Sequence, residues 1–153
     1  MKNSKNIAIA IDSLNGGGAQ KVMLSLAEDL LKLGHNIHFL IMKNEIDYTI
    51  CKDIHTHLCL IHNKNKFNSL FNINKVVDEV KSNISKIEDS YGKFDLVISN
   101  LDRTNLIMSK LQIENIFFVV HASVNEELKR RAKLGPIQYY KKLRCKKALN
   151  GKK

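Results

Sequence analysis

The chain has 153 residues, 44% of them hydrophobic, enough for one domain with a core of its own and too few for two. It contains no apolar run of roughly 18 residues, which excludes a membrane-spanning helix from the expectations. The formal net charge is +10, yet residues 1–120 hold 14 Lys and Arg against 13 Asp and Glu, while residues 121–153 hold 11 against 2. A basic end on a neutral body points to one local patch and not to a general nucleic-acid binder.

Ile7–Ile11 is a continuous apolar run, suited to a parallel strand buried on both faces. Asp12-Ser13-Leu14-Asn15 and Gly16-Gly17-Gly18 follow, then Ala19, Val22, Met23, Leu26, Leu30 and Leu33 recur at helical spacing until Gly34. Asn36–Met42 reads as a second strand and Thr56–Ile61 as a third, separated by the polar stretch Lys43–Lys52. A second helix is predicted over Leu70–Ile87, carried by Phe71, Ile73, Val76, Val77, Val80, Ile84 and Ile87. Asp95–Ser99 is a fourth strand, Thr104–Leu111 a short helix, and Asn115–Val120 a fifth strand. Pro136 suits a helix start, and Ile137–Leu149 continues it with Ile137, Tyr140, Leu143 and Ala148 on one side. Strands alternating with helices imply an α/β, Rossmann-like parallel sheet with helices on both faces, a single domain over residues 1–153.

The glycine-rich turn before a helix start is a candidate anion site, because backbone N–H groups and the helix dipole favour negative charge there. The alternative is that the glycines only permit the turn. The P-loop pattern GxxxxGK[ST] fails here, since Lys21 follows Gln20 and no hydroxyl residue follows it. The dinucleotide pattern GxGxxG also fails, with Lys21 at its sixth position and no acidic residue ending the second strand.

A third pattern fits. Ser13–Val22 (SLNGGGAQKV), the helix end Leu30–Ile37 (LLKLGHNI), Asp95–Ser99 (DLVIS) and Phe117–His121 (FFVVH) resemble the N-terminal domain of family 4 glycosyltransferases. Gln20 departs from the glutamate usual in that family, and the resemblance runs from Asn6 to Leu149. It implies half of a GT-B architecture, the acceptor-binding half, of an enzyme that transfers a hexosyl group from a nucleotide sugar. The acceptor would be a glycan or a lipid-linked acceptor, as in lipopolysaccharide or capsule biosynthesis. The chain stops at Asn150-Gly151-Lys152-Lys153, where that family would enter its donor-binding domain, so a truncated gene or fragment, inactive alone, is expected. No cofactor or metal is implied. The competing reading is a standalone Rossmann-like nucleotide-binding or regulatory module.

By the same resemblance, His121 is the candidate catalytic residue lining the acceptor site, with a capping or loop histidine as the alternative. Gly16, Gly17, Gly18 and Asn100 are candidates for donor-phosphate or acceptor binding. Asp102 is expected to cap the helix after the fourth strand. Cys51, His55, His57, Cys59 and His62 bear zinc-ligand side chains, but their spacing matches no zinc module and a half-exposed strand accounts for them. The three cysteines read as free thiols and the start lacks a signal-peptide pattern, so a cytoplasmic protein is expected. The basic residues Lys129, Arg130, Arg131, Lys141, Lys142, Arg144, Lys146 and Lys147 are read either as a peripheral contact with an anionic membrane or as a solvated helix face. Nucleic acid is not expected, since Tyr139 and Tyr140 are the only aromatics there and no recognition motif appears.

Overall fold

β1 (Asn6–Ile11) lies at the centre of the sheet because its residues suit burial on both faces. Ile7, Ile9 and Ile11 pack with α1 (Gly18–Lys32), while the small Ala8 and Ala10 leave room on the other face. The computed structural model describes residues 3–69, 71–121 and 123–150. The expectations that touch Leu70, Ala122 and residues 151–153 lie outside them.

β2 (Asn36–Ile41), β3 (His55–Leu58), β4 (Leu96–Asn100) and β5 (Ile116–Val119) complete an all-parallel sheet of order β3-β2-β1-β4-β5. α1 covers one face. α2 (Ile73–Tyr91), α3 (Asp102–Met108) and α5 (Pro136–Leu149) contribute to the core on the other, as right-handed crossovers away from a central strand require. The chain is thus α/β, a single Rossmann-like domain.

Several local expectations shift. β3 ends at Leu58, short of Ile61, because the chain then turns so that the N–H groups of Ile61, His62 and Asn63 donate to the Glu79 carboxylate at 2.6–2.9 Å. α1 buries Met23, Leu24 and Ala27, whereas Val22 and Leu33 stand about half exposed, so its core face is rotated from the predicted one. α2 begins at Ile73, which leaves Phe71 94% exposed outside it. α4 (Val124–Lys133) was not expected as a helix. It carries no apolar stripe, and i,i+3 and i,i+4 pairs hold it instead: Glu126 with Lys129, and Glu127 with Arg130 and Arg131.

At the opposite edge from the strand C-termini, His38 sits in a box of aromatic rings. His55 and His57 stack on it with ring centroids at 4.8 and 5.3 Å, and Tyr91 and Phe94 meet it edge-on. His38 Nδ1 lies 3.0 Å from His57 Nε2. These rings are stacked and do not converge on a common point, Cys51 is exposed and Cys59 is buried beyond the strand. No group of His, Cys, Asp or Glu able to hold a metal exists among the described residues, so the zinc alternative is removed. All three cysteines are free thiols, as expected.

Candidate functional site

In an open α/β sheet, ligands bind beyond the carboxyl ends of the strands, where the strand order reverses. That reversal falls between β1 and β4. A crevice of about 480 Å³ opens there, lined by Asp12 after β1, Leu101 and Asp102 after β4, and Val119, Val120 and His121 at the end of β5. The α4–α5 hairpin closes its outer side with Glu127, Arg130, Arg131, Lys141, Lys142 and Arg144.

A buried polar lattice fixes the strand ends. The Ser99 hydroxyl donates to Asn105 Oδ1 at 2.7 Å, and Asn105 Nδ2 donates to the Val119 carbonyl at 3.0 Å, tying β4, α3 and β5 together. Asn100, fully buried, accepts the Leu101 N–H on Oδ1 at 2.8 Å, which fixes that atom as the amide oxygen. His121 Nε2 lies 2.6 Å from the same oxygen and therefore carries a proton. The neutral imidazole is left with Nδ1 as an acceptor for a ligand hydroxyl. Asn100 Nδ2 is a buried side-chain polar atom without a partner. Leu101 joins β4 to α3 at φ 72°, a conformation costly for a residue with a β-carbon, of the kind that clusters at functional sites.

Asp12 faces the same crevice. Burial raises its carboxyl above the usual range, although the Thr104 hydroxyl donates to it and Lys43 opposes the rise. Arg103 is anchored beside the Phe67 ring and donates through Nη2 to the Ser69 carbonyl at 2.8 Å. The hydrogen bonds of Arg130 and Arg131 hold the Glu127 carboxyl down at about 2. Burial, with Asp102 nearby, pushes the Cys145 thiol up to about 11, so it is no thiolate nucleophile near neutrality.

Two expectations about the basic end are corrected. Asp102 is the first residue of α3 and makes no cap, since the N-cap position belongs to Leu101. Its carboxylate instead accepts both hydrogen bonds of Lys142 Nζ, at 2.7 and 2.6 Å. Lys142 is only 6% exposed and so cannot belong to a solvated or membrane-facing surface. The face predicted to pack, with Ile137 and Tyr140, stands largely exposed, because the ion pair turns Lys142 and Cys145 inward. Arg130, Arg131, Lys141 and Arg144 line the crevice, whereas Lys129, Lys146 and Lys147 do not.

The structure brings His121 and Asn100 together and leaves Gly16, Gly17 and Gly18 outside this crevice. Gly17 is extended at φ −148°, and none of the three has the positive φ that only glycine tolerates readily, so the turn alone does not require them. The Gln20 side chain lies over Gly17, and Tyr48 donates to the Gly17 carbonyl at 3.3 Å. A β-carbon on Gly18 would meet nothing within 4 Å. Gly18→Ala is therefore expected to stabilise the fold by about 0.5 kcal/mol, through the unfolded chain, in a thermal melt.

Asp12, Arg103, Glu127 and Gln138 went unrecognised as site residues. Asp12 had a signal, since it directly follows the central apolar strand. No known family model matches this chain, and no curated protein sequence is significantly similar to it. No helix among the described residues is long and apolar enough to cross a membrane.

Proposed function

We propose that this chain is the acceptor-binding half of a GT-B glycosyltransferase, acting on a glycan or lipid-linked acceptor of a bacterial surface polymer. The observation that carries the reading is the placement of His121. It ends β5 at the wall of the switch-point crevice, and buried Asn100 fixes its ring tautomer. In this reading His121 receives a hydroxyl of the sugar in the cleft through Nδ1, and Asn100 is its positioning residue. No protein base is assigned. The glycine loop at the start of α1 lies on the same sheet edge, where it would meet the donor diphosphate carried by a second domain. Leu134, Ile137 and Tyr140, exposed around the α4–α5 turn beside basic residues, support a peripheral membrane location at which a lipid-linked acceptor could be reached.

The test is binding by the 153-residue chain to an immobilised panel of bacterial surface oligosaccharides, with a parallel titration of nucleotide sugars. Retention on a subset of glycans, weakened at least tenfold in His121→Ala, is expected, since one hydrogen bond to a ligand is worth about 1.4 kcal/mol. Tight nucleotide binding without glycan retention would favour the standalone nucleotide-binding module.

A further inference from the structure

The crevice carries more positive charge than its own carboxyls can balance. Six cationic side chains line it against three acidic ones. Glu127 is already shared between Arg130 and Arg131, at 2.7 and 2.8 Å, and Asp102 is taken by Lys142. The third acid, Asp12, is biased by burial towards its neutral form and accepts from Thr104. Arg103 is turned to the carbonyls of Phe67 and Ser69. Lys141 has no ion-pair partner among the described residues, and it lines the same wall as Arg131 and Arg144. A neutral sugar entering this space would displace water from these cations and give them no counter-charge, at a desolvation cost that a ligand anion removes.

We infer that the crevice binds a phosphate-bearing ligand, a phosphomonoester or diphosphate, with Lys141, Arg131 and Arg144 as the anion's receptors. A lysine supplies a point charge and the arginines forked N–H pairs, a combination that matches tetrahedral phosphate oxygens. His121 and the otherwise unpartnered amide of Asn100 lie at the strand ends of the same crevice, on the side that would address the sugar. The inference rests on the acceptor reading only in taking this phosphate as part of the acceptor; the cation excess itself belongs to the side chains.

The experiment is calorimetric titration of the full chain with sodium pyrophosphate, with inorganic phosphate and sulfate at matched ionic strength. Saturable pyrophosphate binding is expected, weakened at least tenfold in Lys141→Glu and unchanged in Lys110→Glu, which alters net charge equally on the exposed turn after α3. Equal weakening in both variants, or equal binding of sulfate and pyrophosphate, would overturn the inference in favour of diffuse attraction. Because Lys141 makes no ion pair among the described residues, the thermal midpoint of Lys141→Glu without ligand reports whether the fold is intact. Phosphatidylcholine vesicles doped with phosphatidate separate the two sources of the group. Sedimentation that pyrophosphate releases assigns a lipid-borne phosphate, absence of sedimentation assigns a water-soluble one, and sedimentation that pyrophosphate leaves intact contradicts the site. A neutral glycan bound without competition from pyrophosphate would overturn this inference and keep the acceptor reading. Pyrophosphate bound with no glycan retained would do the reverse.

Discussion

Asp102→Leu is expected to destabilise the fold by about 3 kcal/mol, at the lower end of the cost of stranding a buried charge. Lys142→Met, which breaks the same contact, is expected to cost about 1 kcal/mol. The asymmetry follows from exposure. Lys142 is 6% exposed, so without its partner its ammonium must either remain dry and unpaired or carry α5 away from α3. The Asp102 side chain is 38% exposed, so its carboxylate can be rehydrated once Lys142 is gone. Cys145, which also donates to the Asp102 carbonyl, marks the same helix contact and would loosen with it. Urea unfolding of the two single variants and the double variant gives the coupling. Equal costs for the two single variants would show that the pair is solvated and that α5 is held by other contacts.

Acidification is expected to remove about 2–3 kcal/mol between pH 6.5 and 4 through His38 alone, at ~1.4 kcal/mol for each unit of pKa difference. Burial, with His55 and His57 beside it, pushes His38 from its ordinary 6.5 down to about 4. The unfolded chain therefore takes up a proton below pH 6.5 that the fold refuses, so stability falls as pH falls and levels off below about 4. His57 is lowered by burial and by His55 and adds to the loss in the same direction. Asp12 opposes it, because its raised carboxyl binds a proton in the fold before the unfolded chain does. The side chains facing His38 are His55, His57, Tyr91 and Phe94, none of them an acid that could rescue its charged form. Urea midpoints between pH 7 and 4.5 test this. The wild-type slope is expected to be much reduced in His38→Phe, and an unchanged slope would assign it to other groups.

The parallel sheet was legible because five short apolar runs alternate with helical ones and nothing in the chain competes with that pattern. Helix faces were less legible. In α1 either the Val22 stripe or the Leu24 stripe satisfies a helical period, and only the shape of the sheet selects the second. α4 was invisible to hydrophobic periodicity because its residues pair with one another by charge, with Leu128 its one apolar residue shown to be buried. α5 misled for a related reason. Lys142 reads as surface from sequence, and the carboxylate that draws it inward lies forty residues earlier. The site was half legible. His121 and Asn100 stand at the ends of their strands, where the topology of any such sheet places ligand contacts. Their mutual hydrogen bond, and the cation-lined wall supplied by the α4–α5 hairpin, depend on tertiary placement that no local spacing encodes.

The glycosyltransferase reading now has a specific location. It requires that an acceptor glycan enter the crevice between the ends of β1, β4 and β5, and the glycine loop is left to another ligand. Amide chemical-shift mapping of the 153-residue chain, titrated with a glycan that the immobilised panel retains, measures this directly. The account predicts shifts concentrated at Asp12, Leu101, Asp102, Val120 and His121, with Gly16, Gly17 and Gly18 unmoved. Shifts centred on the glycine loop, or spread over the surface with none at His121, would contradict it.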